Sequence, residues 1–285
     1  MKTYRETYIR RAEIAQLILL HQLYMQRGSR DLIFQGGTAI RWCYGGNRFS
    51  EDLDFVTSLN PETLRNILTT TLKGAGKVMV PHFGVGALTM TEKHARTNAL
   101  KYFIDFRPDA SREKISVKIE FERLNENRTP DLQNHILSSL PGVAYLIASG
   151  EFRVPRPHAV MVVETPEEIL SDKVRSLLER RYLKGRDLFD VWYLHSVMKT
   201  AVNHEIVVRK FGMYQVPFTF RRDIDFFATP LEEGKKMMIE AIEQDLSRFL
   251  PPEILAVHRA EGFVTFLDAV RSLFTDLKKK GVLLP

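Results

Sequence analysis

The period of the hydrophobic pattern changes along this chain, and that change limits its fold more than any other feature. In residues 9–26 apolar side chains recur at helical spacing, at Ile14, Leu17, Ile18, Leu20 and Tyr24. In Ile115 to Phe121 (ISVKIEF) they recur at every second residue, the pattern of a half-buried strand. Between these lie a short strand at Asp31 to Gln35, a Gly36-Gly37 turn, a short helix at Thr38 to Tyr44 and a strand within Phe49 to Val56. A helix capped by Asn60 follows over Pro61 to Leu72, and residues 76–121 read as strands, beginning at Val78, Val80 and Phe83. Residues 128–157 read as a polar, proline-bearing connector. From Thr165 the pattern turns helical. Thr165-Pro166-Glu167-Glu168 offers a Thr cap, Pro in the first turn and Glu three residues after the cap. Further helices are expected at 186–199, 232–249 and 261–279. The expected architecture is α+β, a mixed-sheet domain at 1–160 followed by a mainly helical domain at 161–285, with the boundary near 155–165.

Composition narrows the class. Of 285 residues, 44% are hydrophobic and 27% charged, as in ordinary globular proteins rather than disordered or fibrous ones. No apolar run approaches the roughly 20 residues that span a bilayer, and the charged N-terminus lacks the apolar stretch of a secretory signal. The single cysteine, Cys43, excludes an intramolecular disulfide framework and a multi-thiolate zinc site. A cytoplasmic protein with no membrane partner is expected. The formal net charge of +6 suits a phosphate-bearing ligand without identifying one.

The chemistry-bearing residues cluster after the first strand. Gly36-Gly37-Thr38 runs from strand into helix, where glycine permits close approach of a ligand and helix N–H groups face phosphate. Asp52 and Asp54 are two apart on a strand and so share a face. Two carboxylates on one face repel unless a positive charge sits between them, and paired Mg²⁺ ions would supply it. Two outward acids on a solvated edge strand give the same pattern. Lys118 and Glu120 share the polar face of ISVKIEF, so Glu120 becomes a third acid if that strand lies beside Asp52 and Asp54.

Gly36-Gly37-Thr38 followed by Arg48, Ser50, Asp52 and Asp54 resembles the core motif of DNA-polymerase-β-like nucleotidyltransferases. The form GGTAI…RFSEDLDF, with Asp172-Lys173 after TPEEIL and then KGRDLFDVWYL, resembles the AbiEii/AbiGii toxin family more particularly. That resemblance implies that Gly36, Gly37, Thr38, Arg48, Ser50, Arg186 and Asp187 serve the nucleotide. It implies that Asp52, Asp54 and Glu120 bind Mg²⁺ (or Mn²⁺), and that Asp52, Asp54, Asp172 and Lys173 are catalytic. Arg186, Asp187 and Asp190 would form a second polar cluster, with Asp187 and Asp190 on one helical face and an Arg186–Asp190 pair as the structural alternative. The active site is expected in the cleft between the domains.

The implied reaction moves a nucleoside monophosphate from an NTP, possibly GTP, to RNA (a tRNA 3′ end) or to a protein. It belongs to toxin–antitoxin or abortive-infection phage defence, with a separately encoded antitoxin as partner. The alternatives are a GTP- or NTP-binding protein without transferase turnover, and an interaction module working through its basic helical half. Cys43 and His158 attract no functional role. The aromatic, basic stretch from Phe211 to Phe227 reads as a packed loop with RNA or partner contact as the alternative.

Overall fold

The computed structural model describes residues 4–94 and 100–281. Its elements run α1 (Glu6–Tyr24), β1 (Leu32–Gln35), α2 (Gly36–Cys43), β2 (Asp52–Thr57), α3 (Pro61–Phe83), β3 (Gly86–His94), β4 (Leu100–Pro108), β5 (Ile115–Arg123), β6 (Leu132–Ile136), α4 (Pro141–Ala148) and β7 (Val160–Glu164). Then come α5 (Pro166–Glu179), α6 (Gly185–Trp192), a π-helical turn at Tyr193–Val197, α7 (His204–Phe211), α8 (Asp225–Ala228), α9 (Glu232–Phe249), α10 (Pro252–Ala260) and α11 (Val264–Lys279). The chain divides into two compact units. One comprises Glu6–Gly46 and Ser50–Glu164; the other comprises residues 4–5, Asn47–Phe49 and the chain from Thr165 on.

The first unit is built on a mixed seven-stranded sheet in the order β3-β4-β5-β2-β1-β7-β6. β1 and β2 are antiparallel, whereas β2 runs parallel to β5 and β1 parallel to β7. Strand alternation separates two faces. Leu53, Phe55, Ile119 and Phe121 are buried on one. There Phe55 stacks on Phe121 at 5.4 Å and meets Phe34 of β1 at 5.3 Å, and Tyr24 of α1 reaches the same ring at 6.3 Å. Such aromatic pairs each contribute about 0.5–1.5 kcal/mol beyond their buried area. Asp52, Asp54, Lys118 and Glu120 occupy the opposite, half-buried face.

Several elements depart from the sequence expectation. Residues 78–83 belong to α3, not to a strand. The β-branched Val78 and Val80 suggest strand, but Leu64, Leu68, Thr71, Ala75 and Met79 form a buried stripe at helical spacing that carries the helix to Phe83. The helix ends at Gly84, whose φ of 87° closes it. The part of that expected strand region at 95–99 lies outside the described residues. The strand expected within Phe49 to Val56 begins at Asp52. The expected connector at 128–157 contains β6 and α4, and β7 follows it. β6 is a sheet edge with mostly exposed side chains, so it carries no alternating apolar signal. No helix among the described residues is long and apolar enough to cross a membrane.

The second unit is mainly helical. Thr165 caps α5 by accepting a hydrogen bond from the Glu168 N–H, and Asn203 caps α7 in the same manner. α6 packs on α5, α9 and α11. Gly185, the first residue of α6, lies so close to α9 that an added Cβ would fall 2.2 Å from the Ala241 carbonyl oxygen. The helices expected at 186–199 and 261–279 begin at Gly185 and Val264, the first running into the π-helical turn.

Candidate active site

In the sheet unit, the β2–β5 register places Asp52 beside Lys118 and Asp54 beside Glu120. The condition under which Glu120 joins the two aspartates, adjacency of their strands, is thus met. The Lys118 ammonium lies 2.8 Å from Asp52 and 2.5 Å from Glu120, and Lys101 of β4 is 3.2 Å from Glu120. Burial works against ionisation of Glu120, but hydrogen bonds and charge from Lys118 and Lys101 outweigh it and hold its carboxyl below the usual range. Burial likewise opposes the Lys118 charge, and Asp52 and Glu120 more than restore it. Lys118 of the neighbouring strand thus lies between Asp52 and Glu120. Alternation in ISVKIEF already put Lys118 on the Glu120 face; only the register reveals that it also reaches Asp52.

The glycine pair is tied to the same strand. Gln35 pairs in register with Asp54, so Gly36 follows directly beside that carboxylate. Gly36 has φ 76°, and a Cβ there would lie 2.7 Å from Asp54 Oδ2. Positive φ and close approach both require glycine at this position. Gly37 and Thr38 are buried in the first turn of α2. The Thr38 hydroxyl donates to the Asp52 carbonyl, which locks the helix start to β2. The Ser50 carbonyl accepts from the Gln16 amide at 2.7 Å.

In the helical unit a second ionic group assembles from distant parts of the sequence. Arg48 grips Asp190 with two hydrogen bonds of 2.6 Å and also donates to the Phe49 carbonyl. Lys173 lies 2.7 Å from Asp190 and 2.9 Å from Asp187, and Arg180 is 3.2 Å from Asp187. Asp187 and Asp190 therefore share a face of α6, with only 1% of each side chain exposed. Asp190 is taken by Arg48, while the Arg186 guanidinium lies 5.5 Å from the centroid of the Phe249 ring. Burial disfavours both aspartate charges. Arg180 and Lys173 overcome it at Asp187, and Arg48 and Lys173 overcome it at Asp190, leaving both carboxyls below the ordinary range. Lys173, desolvated but facing the two acids, is raised.

Asp172 points to a different group from that of Lys173, as adjacent helical residues do. Its carboxylate accepts from Lys210 Nζ at 2.6 Å and from the Tyr214 hydroxyl at 2.7 Å. Lys210 is completely buried and also pairs with Glu168 at 2.9 Å, and Arg209 pairs with the same glutamate. Sequence reasoning passed over Lys210 and Tyr214. The run KFGMY contains no motif, and a buried lysine is legible only from what surrounds it.

A glycine turn that opens a short helix beside a strand bearing two carboxylates on one face, within a mixed sheet, is the arrangement of the nucleotidyltransferase fold. Among solved structures the chain is similar to a provisionally assigned nucleotidyltransferase from H. pylori, at TM-score 0.55 and 17% identity, covering 97% of this chain and 98% of that one. It is also similar to JHP933 from Helicobacter pylori, at TM-score 0.48 and 19% identity, covering 98% and 96% of the two chains. No curated protein matches. The chain belongs to the AbiEii nucleotidyl transferase toxin family of type IV toxin–antitoxin systems, whose family model matches residues 18–269.

Proposed function

We propose that this toxin transfers a nucleoside monophosphate from an NTP to an RNA 3′ end in a divalent-metal-dependent reaction, and that a separately encoded antitoxin restrains it. The observation that carries this reading is the face shared by Asp52 and Asp54 with Gly36 pressed against the latter. Mg²⁺ takes hard oxygen ligands and commonly uses one or two carboxylates, completing its shell with water and substrate phosphates. Asp52 and Asp54 meet that requirement. Among the described residues no three His, Cys, Asp or Glu side chains are grouped so as to hold a metal. Glu120, which pairs in register with Asp54 and is engaged by Lys118 and Lys101, is the third carboxylate beside that pair. When bound, the metal would supply Lewis-acid charge to the phosphate oxygens.

The other assignments follow from chemistry. The α2 N-terminus, which Gly36 lets a ligand approach closely, presents N–H groups to triphosphate oxygens. Within the helical unit, three cations contact two carboxylates, a surplus that suits an anionic ligand. Lys173 and Arg186 are assigned to the nucleotide, while Asp187 and Asp190 orient the cations. In the reaction the acceptor hydroxyl oxygen bonds to the α-phosphorus. The bond from that phosphorus to the bridging oxygen breaks, pyrophosphate leaves, and the hydroxyl proton passes to water.

The test incubates the protein with each α-labelled NTP, Mg²⁺ or Mn²⁺, and total cellular RNA or protein. Label in RNA with pyrophosphate release is expected, GTP being the first nucleotide to try. Label in protein alone would replace the acceptor. Tight NTP binding without label in either would remove the transfer step and leave a nucleotide site.

A further inference from the structure

The segment after α5 and the segment 219–222 come from separate parts of the helical unit, yet the backbone lashes them together. The N–H groups of Arg221 and Arg222 both donate to the Leu178 carbonyl, at 3.0 and 3.1 Å. The Arg222 guanidinium then donates to the carbonyls of Leu177, Arg180 and Arg181, at 3.2, 2.5 and 3.0 Å. These are carbonyls at and just beyond the end of α5, most of which lack a partner within that helix. One arginine thus satisfies the helix end and brings two basic, aromatic stretches into one surface.

What that surface presents is unusual for a solvated loop. Tyr182 is 68% exposed and Phe220 39% exposed. The Arg181 guanidinium lies 5.2 Å from the Tyr182 ring centroid. Phe220 is backed by Phe218 at 6.2 Å, which in turn stacks near Phe211 at 4.4 Å. Arg181 and Arg221 are both exposed. The neighbouring acids are engaged elsewhere, Glu179 by Arg175 and Asp223 by the Phe226 N–H. Arg180 connects the patch to the buried cluster through Asp187.

We propose that residues 180–182 and 219–222 form a docking surface for single-stranded RNA. Arginines neutralise backbone phosphates, and exposed aromatic faces stack on unpaired bases irrespective of sequence. Paired bases offer no free face to Tyr182 or Phe220, so a single-stranded end is favoured over a duplex. Aromatic residues and arginine also serve protein interfaces, so a protein partner is the competing occupant that the test must separate from RNA. The inference rests on RNA as the acceptor, and its test is therefore a binding measurement made without metal or nucleotide.

A fluorescein-labelled single-stranded RNA of about 12 nucleotides and mixed sequence, within the site size of small single-strand binders, is titrated with the full chain in EDTA and followed by anisotropy. The double variant Arg181→Glu with Arg221→Glu is expected to bind at least tenfold more weakly. Its slope of log affinity against log salt should be shallower by about 1.4, or about 0.7 per lost phosphate contact. Tyr182→Ala, at a surface position that leaves folding intact, should lose between about fivefold and a hundredfold with the slope unchanged. Lys235→Glu with Lys236→Glu on α9 matches the charge change at a different surface and should bind as wild type. A wild-type chain that does not bind the RNA, or an arginine variant that binds no worse than the α9 control, overturns the proposal. So does loss of a protein acceptor or antitoxin in the patch variants with RNA affinity unchanged, which assigns the surface to protein. Asp54→Ala should retain RNA binding. Loss of binding in the patch variants, with no label ever reaching RNA, would uphold this surface and sink the acceptor reading instead.

Discussion

The two ionic groups of this protein use similar residue types to opposite ends. On the sheet face, Asp52, Lys118 and Glu120 remain partly open to solvent, with 14–26% of each side chain exposed. In the helical unit, Arg48 and its partner Asp190 are almost wholly enclosed. A half-open carboxylate can exchange a lysine for an incoming cation at small cost, because solvent screens both states. A buried bidentate pair cannot, since removing one partner strands the other in a low dielectric. The first arrangement leaves its ligands exchangeable. The second holds α5, α6 and the 47–49 segment as a scaffold and keeps Lys173 charged within it.

That contrast is most exposed by one substitution made in both places. Asp190→Asn leaves Arg48 and Lys173 short of a counter-charge and should destabilise the protein by about 3–5 kcal/mol in urea unfolding. Asp54→Asn should unfold within about 0.5 kcal/mol of wild type, as substitutions on a half-open surface do. Yet it should lose more than about a hundredfold in transfer, because even outer partners of a metal site are worth about 10–100-fold. If the two variants show the same balance of stability and activity loss, the distinction between scaffold and reactive face is wrong.

Gly36→Ala probes the link between turn and carboxylate. Left-handed backbone costs a non-glycine residue about 1–2 kcal/mol, and the added methyl must push on Asp54. A stability loss of that size leaves nearly all of the protein folded, yet nucleotide transfer should fall at least about tenfold because the methyl displaces the carboxylate. Transfer at the wild-type rate with lowered stability would make Gly36 a purely conformational residue.

The pH dependence sharpens the same comparison. Asp187 and Asp190 have carboxyls depressed in the folded state, so their stabilisation is complete above the unfolded value of about 3.9 and disappears as pH falls through the lower folded values. Lys173 is raised, so its contribution is complete below about 10.4 and is lost as pH rises through the higher folded value. Between those limits the cluster should contribute a pH-independent amount. A plot of unfolding free energy against pH should be flatter on the acid side for Asp190→Asn than for wild type; an unchanged acid slope would deny these carboxylates their role.

The smallest effect is expected at Lys118. Lys118→Met removes a partly exposed ion pair worth about 1 kcal/mol and should shift thermal unfolding only slightly. With no ammonium competing for Asp52, half-maximal activity should need several-fold less Mg²⁺. A requirement for more Mg²⁺ would mean that Lys118 assists the ligand rather than yielding to it.

Short-range physics made much of this molecule legible in its residues. The alternation of DLDF and ISVKIEF dictated which side chains turn to the core and which to the polar face, because successive strand residues must point to opposite sides. The Thr165 cap and the proline after it located the start of α5 for an equally local reason. Gly36-Gly37 marked the turn, although which glycine is indispensable depends on Asp54 lying across the β1–β2 register. The expected strand at Val78 failed because β-branching is a weak preference, overruled by a buried stripe whose partners lie elsewhere in the chain. Tertiary structure alone decided that Lys118 bridges Asp52 and Glu120, that Arg48 closes on Asp190 across 142 residues, and that Lys210 is buried between Glu168 and Asp172. Those pairings depend on strand order and helix packing. Charge carries no periodicity that names its partner, so an ion pair becomes visible only when the fold has brought its two ends within a few ångströms.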